Sequence, residues 1–218
     1  MIIAIDGPAG SGKGTITDII AKKLNLVNID TGATYRCIAL ATLKNNIKLD
    51  EKDKIIELAK KQEIIMDENK NVFLNGKDVT KEIRTKEVTK IVSQISSIVE
   101  VRKILVDLQR NMANGKNVIL EGRDITTVVF PNADYKFYLD ATADVRAMRR
   151  FKQNKEQNID MTLKEIKENI EKRDYNDMHK PVGALRRTED QIYIDSTNMT
   201  IDEVAKKIIG YIRGDEEK

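Results

Sequence analysis

The chain has 218 residues, of which 40% are hydrophobic and 33% are charged, and its formal net charge is only +3. This composition allows a folded core in one large domain or two small ones. It disfavours an RNA- or DNA-binding protein, because such a protein usually concentrates basic residues on one face, and the lysines here are dispersed along the sequence.

Neither a disulfide nor a membrane span is expected from the sequence. Its single cysteine, Cys37, has no partner for an intramolecular disulfide and lies in an apolar run that predicts a packed helix. No stretch reaches the ~20 apolar residues of a membrane span, and the first residues lack the basic and apolar regions of a signal peptide. We therefore expect a cytoplasmic monomer with no membrane and no nucleic-acid partner.

Short apolar runs alternate with segments of helical periodicity along the chain. The predicted strands are Met1–Ile5, Val27–Ile29, Val118–Leu120, Tyr135–Leu139 and Ile192–Ile194. The clearest helix follows Thr200, which forms a possible capping box with Glu203. Strands that alternate with helices predict an α/β fold whose parallel sheet is covered on both faces.

The segment from Glu63 to Arg84 departs from this alternation. Two short apolar runs flank a polar turn at residues 67–71, and the dipeptide Asn75-Gly76, typical of tight hairpin turns, follows at once. This pattern predicts a small antiparallel insertion on the α/β core.

A glycine-rich loop follows the first predicted strand and leads into the first predicted helix. It consists of Gly7, Pro8, Ala9, Gly10, Ser11, Gly12, Lys13, Gly14 and Thr15. This is the context of a P-loop, whose backbone N–H groups and helix N-terminus surround a phosphate. Lys13 has the position from which a P-loop lysine reaches the β- and γ-phosphates of ATP. The simpler alternative is an ordinary strand–helix turn.

Magnesium is expected to arrive with ATP and to keep most of its waters. The sequence has one histidine and one cysteine, so that no cluster of such ligands predicts a metal site made by protein residues alone. Gly14 follows the P-loop lysine where many P-loops have serine or threonine, and Thr15 is the candidate hydroxyl for the ion.

Arginines near the ends of the predicted strands suit the chemistry of phosphoryl transfer. The guanidinium group binds phosphate bidentately and stays ionised. Arg36 follows the second strand and Arg123 the third, at the edge where α/β sheets bind ligands. The alternative for any one of them is a solvated surface residue.

Five blocks of the sequence resemble bacterial cytidylate kinases, in that family's order and spacing. They are residues 7–15, residues 30–36, residues 78–85, the Glu121-Gly122-Arg123-Asp124-Ile125 block with residues 127–131, and Arg173-Asp174 with Asp177. The resemblance implies one P-loop kinase unit over residues 1–218 with a five-stranded parallel sheet. It also implies an inserted monophosphate-binding region at about residues 32–100 and a lid at about residues 146–162.

The resemblance also implies roles for individual residues. Thr31, Arg36 and Arg123 are expected to hold the CMP phosphate, Ser93, Arg102 and Asp124 to read the cytosine, and Arg173 and Asp177 to hold the ribose hydroxyls. Asp124 suits the exocyclic amine of cytosine because a carboxylate accepts hydrogen bonds. The alternatives are a helix-internal hydrogen bond for Ser93 and a solvated helix residue for Arg102.

The basic stretch from Arg146 to Asp160 resembles the family's lid and is expected to lie between two helices. Closure of a lid excludes water and brings a positive charge onto the transferring phosphate. Arg149 and Arg150 are the candidate catalytic residues there, beside Lys13 and Arg123, and the sequence does not choose between them. A charged helix end on the surface is the alternative.

Three positions depart from the family's pattern. The family usually has arginine where this chain has Lys180, glycine where it has Thr126, and proline where it has Ala184. The arginine contributes to cytosine recognition in the family, so Lys180 is counted among the substrate-binding residues. Lysine offers a flexible point charge instead of two parallel donors.

We therefore expect an ATP- and Mg²⁺-dependent kinase that phosphorylates CMP, and dCMP as a second substrate. One alternative is a kinase of the same class with another acceptor such as UMP. The other is a nucleotide-binding module without catalysis, which the joint presence of Lys13, Arg36 and Arg123 disfavours.

Overall fold

The structure is a computed structural model and describes residues 1–156 and 159–215. Its elements in chain order are β1 (Ile2–Asp6), α1 (Lys13–Leu24), β2 (Val27–Asp30), α2 (Thr31–Lys44), α3 (Lys52–Lys60), β3 (Ile64–Met66), β4 (Val72–Leu74), β5 (Lys77–Asp78), α4 (Lys86–Ile95), α5 (Val99–Ala113), β6 (Val118–Gly122), β7 (Tyr135–Asp140), α6 (Ala143–Glu156), α7 (Leu163–Met178), β8 (Ile192–Asp195) and α8 (Ile201–Arg213). A turn of 3₁₀ helix covers Glu82–Arg84 and a π-helical turn covers Ile125–Val129.

The described residues form one five-stranded parallel sheet in the order β2-β6-β1-β7-β8. The five strands predicted from the sequence are confirmed, each one or two residues longer at its carboxyl end. Strand β1 is central, and Ile3, Ala4 and Ile5 have no exposed surface. Both faces of the sheet are therefore covered, as continuous apolar strands require.

The carboxyl ends of the strands lie at one edge of this sheet. In the parallel register, Asp6 at the end of β1 lies beside Gly122 of β6 and Tyr138 of β7. The loops that follow β1 and β6 therefore start as neighbours, although they are more than a hundred residues apart in sequence. These loops carry the P-loop and Arg123.

Residues 31–117 connect the adjacent strands β2 and β6 and contain a core of their own. Buried residues from Ala33 to Leu105 form a cluster in this region, and β3, β4 and β5 form a separate antiparallel sheet. Asn75 and Gly76 join β4 to β5 with positive φ angles of 51° and 76°, as a type I′ hairpin turn requires. The predicted antiparallel insertion is thus confirmed.

Helix α6 corrects the prediction for residues 146–160. Residues 146–156 are helical instead of lying between two helices. Ala, Met, Arg, Lys, Gln and Glu predominate there, and these residues favour helix. The predicted lid also includes Gln157 and Asn158, which lie outside the described residues. Helices α6 and α7 pack through a small cluster around Ala147, Ile166 and Ile170.

Two local predictions are confirmed by hydrogen bonds and burial. Thr200 accepts from the backbone of Glu203, whose side chain accepts from Thr200 in return, so that the capping box is complete. Cys37 is fully buried in α2, and burial raises the pKa of its thiol to about 12. In the described part of the chain, no helix is long and apolar enough to cross a membrane.

Candidate active site

The loop between β1 and α1 has the backbone geometry of a phosphate-binding loop. Gly7 has a φ of 156°, and a Cβ there would collide with the carbonyl of Leu139. Gly12 has a φ of 91° and precedes α1, whose N-terminus has no side-chain cap. The first N–H groups of α1 are therefore available to an anion, which the helix dipole also favours.

Gly14 is explained by its neighbour on β6. A methyl group at this position would lie 2.8 Å from Oε1 of Glu121. Thr15 is exposed in the first turn of α1. Burial and the nearby charge of Asp30 raise the pKa of Glu121, whereas Lys13 and Arg123 oppose this shift. The two carboxylates, Glu121 and Asp30, therefore lie beside the P-loop.

Lys13 is folded back onto the loop. Its Nζ donates to the carbonyls of Gly7 and Pro8 at 2.9 and 2.8 Å and to Oγ of Ser11 at 3.2 Å, and the residue is 4% exposed. Burial and the charges of Arg123 and Arg173 together lower the pKa of Lys13 to about 7, against the opposing charges of Glu121 and Asp6. A bound anion would therefore stabilise the charged form of this ammonium group.

An ion pair between α6 and α7 also contacts the P-loop. The backbone N–H of Ala9 donates to Oδ1 of Asp174 at 2.9 Å, and Arg146 donates to the carbonyl of Ala9 at 2.9 Å. Arg146 and Asp174 also form a buried ion pair. Both polar groups of the Ala9 peptide are therefore held by α6 and α7.

Arginines from several parts of the chain form a group that includes the cationic neighbours of Lys13. Burial lowers the pKa of Arg36 on α2, and the charges of Arg84, Arg150 and Arg123 act in the same direction. Partial burial and the charge of Arg123 lower the pKa of Arg173 on α7 to about 10. These mutual shifts mean that the cations predicted from the sequence lie close to one another.

Asp177 on α7 joins three of the predicted residues. Its carboxylate accepts from Nε of Arg123 at 2.8 Å and from Nζ of Lys180 at 2.8 Å, and Nε of Arg173 lies 3.8 Å away. Burial works to raise the pKa of Asp177, but these three cations hold it well below its usual range. Burial works to lower the pKa of Arg123, but the carboxylate of Asp177 raises it above its usual value.

Arg102 and Asp124 form a buried ion pair next to this group. They are 4% and 5% exposed, which excludes the alternative of a solvated Arg102. Arg102 also donates to the carbonyl of Ser96 and lies over the ring of Tyr35, 5.3 Å from its centroid. Nε of Arg102 is buried without a partner among the described residues. Gly183 leaves the space for this pair, because a Cβ there would collide with both side chains.

Ser93 and Lys180 border the same pair. The hydroxyl of Ser93 makes no hydrogen bond within the described residues, while its carbonyl accepts from Ser96 and Ser97. The helix-internal bond considered for Ser93 is therefore absent there. Lys180 is 9% exposed, and it donates to Oγ of Ser96 at 2.8 Å besides its contact with Asp177. Lys180 thus connects Asp177 to α4.

Thr31 lies next to Glu121 of β6, at the start of α2. It is 3% exposed at the start of α2, and its hydroxyl donates to the carbonyl of Glu121 at 2.6 Å. Its helix is capped by Asp30, whose carboxylate accepts from Ala33. Asp30 also lies 3.2 Å from Arg84.

The two candidate lid arginines face different neighbours. Arg149 donates to the hydroxyl and carbonyl of Ser196 at 3.1 and 2.7 Å and to the carbonyl of Met199 at 3.3 Å, all between β8 and α8. Arg150 donates to Gln153 and is close enough to lower the pKa of Arg36. Arg150 is therefore the arginine on the side of the cation cluster.

Several residues of this site were not predicted from the sequence. Asp6, Glu121, Arg146 and Asp174 were assigned no role, although each lies within or next to a block that was singled out. Their proximity to a strand end or a glycine-rich loop was the available signal. Nothing in the sequence indicated which partner each one has.

A model of the Cytidylate kinase family matches residues 3–214. The cytidylate kinase of Caldicellulosiruptor bescii is 46% identical over 210 residues, which is 95% of this chain and 93% of that protein. The cytidylate kinase of Leuconostoc mesenteroides is 46% identical and covers 96% of this chain and 95% of its own. That of Clostridium botulinum strain Loch Maree is 43% identical and covers 98% of both chains.

Solved structures that resemble this one share its fold at low sequence identity. A shikimate kinase from Bacteroides thetaiotaomicron has a TM-score of 0.50 and 14% identity and covers 98% of both chains. An uncharacterized protein from Eubacterium ventriosum has a TM-score of 0.55 and 14% identity with the same coverage. These likenesses confirm the α/β fold of a P-loop kinase.

The low pKa of Lys13 predicts a pH dependence of stability. The pKa of about 7 in the folded chain lies below the ordinary lysine value of 10.5. The charged lysine therefore destabilises the fold most below pH 7, and the penalty decreases as the pH rises towards 10.5. We expect Lys13→Met to raise the melting temperature relative to the parent protein by more at pH 6 than at pH 9. Thermal melts at both values test this.

Lys22→Met is the matched control, because Lys22 is an exposed lysine of the same helix. Addition of inorganic phosphate should reduce the gain at pH 6, since a bound anion stabilises the charged lysine. A difference between Lys13→Met and the parent that is the same at both pH values would contradict the buried charge.

Proposed function

This chain belongs to the cytidylate kinase family and phosphorylates CMP with ATP, and we propose that the phosphoryl group passes directly and in line between the two nucleotides. We also propose dCMP as a second acceptor, because it presents the same base and phosphate. Cytoplasmic location and a monomeric working form are part of the proposal, since every residue proposed for the site lies on one chain.

The observation that carries the mechanism is the cluster of Lys13, Arg36, Arg123 and Arg173. Their mutual repulsion is expressed in the lowered pKa values of Lys13, Arg36 and Arg173. Such a cluster is unfavourable in the empty protein and favourable around several phosphates. Phosphoryl transfer depends mainly on this kind of positioning and charge stabilisation.

On the donor side, residues 7–15 would surround the phosphates of ATP, and Lys13 would follow the migrating group. To do so, Lys13 must exchange its contacts with Gly7 and Pro8 for phosphate oxygens. Of the two lid arginines we assign Arg150 to the transferring phosphate, on account of its closeness to Arg36. Arg149 would instead hold the segment between β8 and α8.

Magnesium would be held by oxygen donors at the start of α1 and the end of β6. Glu121 fits this role because its carboxylate lies beside Gly14 and near Lys13. Asp30 and Thr15 add a carboxylate and an exposed hydroxyl, in agreement with the preference of Mg²⁺ for oxygen and water ligands. The ion supplies charge that offsets the phosphates, while the protein residues orient its water shell.

On the acceptor side, Arg36 and Arg123 would hold the phosphate of CMP, with Thr31 beside them. Asp124 would accept from the exocyclic amine of cytosine, with Arg102 and Ser93 as donors to the base. Support comes from the buried Nε of Arg102 and the free hydroxyl of Ser93, which leave two donors without partners in the described part of the chain. Asp177 and Arg173 would hold the ribose, and Lys180 would support Asp177.

The alternatives considered from the sequence, another acceptor such as UMP and binding without catalysis, are disfavoured by membership of this family. A coupled assay of ADP release with CMP, dCMP, UMP, AMP and GMP in turn tests all of them. Turnover with CMP and dCMP above the other acceptors supports the proposal. Highest turnover with UMP favours the first alternative, and nucleotide binding without ADP release favours the second.

Adjacent residues on the β6 loop should separate base reading from phosphate holding. Arg123→Ala should lower kcat/KM by at least about a hundredfold for every acceptor, because losing a charged contact costs about 3 kcal/mol. Asp124→Asn should lower it for CMP more than for UMP, because the amide no longer offers only acceptors. The acceptor panel measures both variants.

Arg213→Ala is the matched control for the arginine, since Arg213 is exposed at the end of α8. Asparagine is used at position 124 because alanine would leave Arg102 buried and without its carboxylate partner. Equal losses for CMP and UMP in Asp124→Asn would refute its assignment to the base.

Asp177 should distinguish ribose from deoxyribose. If its carboxylate accepts from the 2′-hydroxyl, Asp177→Asn costs more affinity for CMP than for dCMP. Titration calorimetry of both nucleotides into the variant and the parent measures this difference. Because the same variant is compared with two ligands, effects on the three surrounding cations cancel. Identical changes for CMP and dCMP would remove the 2′-hydroxyl contact from the proposal.

Lys180→Arg should raise the ratio of kcat/KM for CMP to that for UMP by more than twofold. Arginine offers two parallel donors where lysine offers a point charge. The single variant is compared with the parent and the double variant with Thr126→Gly alone, because Thr126 lies in the loop that carries Asp124. A change below about twofold in both, or about 0.4 kcal/mol, would mean that Lys180 only supports Asp177.

A further inference from the structure

A buried carboxylate lies between the P-loop and the loop that carries Arg123 and Asp124. Asp6 is the last residue of β1, immediately before Gly7, and it has no exposed surface. Its Oδ1 accepts from the N–H of Ile125 at 2.8 Å, and its Oδ2 accepts from the N–H of Thr126 at 2.9 Å. Among the described residues, no cation forms an ion pair with this carboxylate at contact distance, although the charge of Lys13 acts on it from farther away. All of its hydrogen bonds come from neutral donors.

The third donor to Asp6 is the hydroxyl of Thr126, at 2.6 Å. This hydroxyl also accepts from Nε2 of Gln191, whose Oε1 accepts from the N–H of Thr188 at 2.7 Å. Thr126 and Gln191 are 2% and 6% exposed. The bonds form one continuous chain from Thr188 through Gln191 and Thr126 to Asp6.

This series of hydrogen bonds joins the two segments that flank Arg102 and Asp124, the pair proposed to read the base. Asp6 holds the first N–H groups after Asp124, at the start of the π-helical turn Ile125–Val129. Gln191 closes the segment after Lys180, in which Gly183 packs against Arg102 and Asp124. Asp6 itself is fixed, because its strand pairs with β6 on one side and β7 on the other. These hydrogen bonds therefore hold both segments in place relative to β1, the strand that precedes the P-loop.

We propose that Asp6 is a positioning residue that aligns Arg123 and Asp124 for the acceptor nucleotide, and that the Thr126 hydroxyl orients it. This inference rests on the proposed roles of Arg123 and Asp124. A glycine at position 126, the residue that the resemblance to cytidylate kinases implies there, could not supply this hydroxyl.

Positioning has a kinetic signature that general loss of stability does not produce. A displaced Asp124 weakens acceptor binding and selection, while the P-loop still binds ATP. We expect Thr126→Val to raise KM for CMP by about tenfold, or about 1.4 kcal/mol, as loss of one buried hydrogen bond allows. The CMP-to-UMP ratio of kcat/KM should fall by several-fold, while KM for ATP changes by less than about twofold.

Three further variants complete the experiment. Thr126→Ser keeps the hydroxyl and should stay within about threefold of the parent in KM for CMP. Thr127→Val makes the same substitution one residue later, where the side chain has no hydrogen bond among the described residues, and should behave like the parent. Asp6→Asn places an amide N–H against the donors and should raise KM for CMP more than Thr126→Val does. Assays are run well below each variant's melting temperature.

The outcomes separate this inference from the proposed function. Equal effects of Thr126→Val on the KM values of CMP and ATP, or a serine variant as impaired as the valine variant, would overturn it. If the valine variant does not fold, Gln191→Met decides, because it removes the donor to Thr126 and should raise KM for CMP alone. If Asp124→Asn loses CMP selection and Thr126→Val does not, only the inference fails. If Asp124→Asn also keeps CMP selection, the proposed function of Asp124 fails.

Discussion

Repulsion among partly buried cations is the constraint on which the site depends. The charges of Arg123 and Arg173 lower the pKa of Lys13, and the charge of Arg123 lowers that of Arg173, while burial removes the water that would otherwise screen these charges. The empty protein tolerates this arrangement because carboxylates of α7 and β6 lie among the cations. Asp177 contacts three cations at once, and Glu121 lies beside Lys13. These carboxylates therefore keep the cations together until phosphates arrive.

The parallel sheet makes this concentration of charge possible. Strands β1 and β6 are adjacent and run in the same direction, so that the P-loop and the Arg123 loop begin at the same edge. Residues 31–117 bring Arg36 and Arg102 to that edge from a separate core. Helix α7 then crosses near both groups, with Asp174 directed to Ala9 of the P-loop and Asp177 to Arg123. One helix thus contacts both the P-loop and the loop that carries Arg123.

Much of this could be predicted from the sequence, because local signals govern it. Short apolar runs predicted all five strands of the parallel sheet, and the glycine spacing around Lys13 predicted the P-loop. The prediction that residues 146–156 lie between two helices was wrong. Their high charge suggested a surface connection, although the residue types favour helix. Asp6 and Asp174 were not found, since a buried carboxylate in a sequence has no local mark of its partner. Such partners are set by strand register and helix packing, which bring together residues more than a hundred positions apart.

Two of the buried carboxylates, Asp6 and Asp177, are stabilised by different kinds of partner, and this difference bears on the proposed mechanism. Asp6 accepts from neutral N–H and O–H groups that no phosphate would compete for. Asp177 is held by cations that the proposed mechanism gives to the substrate. In that mechanism, a CMP phosphate that draws Arg123 away would leave Asp177 free to accept from a ribose hydroxyl. A carboxylate held by neutral donors can therefore serve as fixed framework, whereas one held by cations can exchange partners as the nucleotide binds.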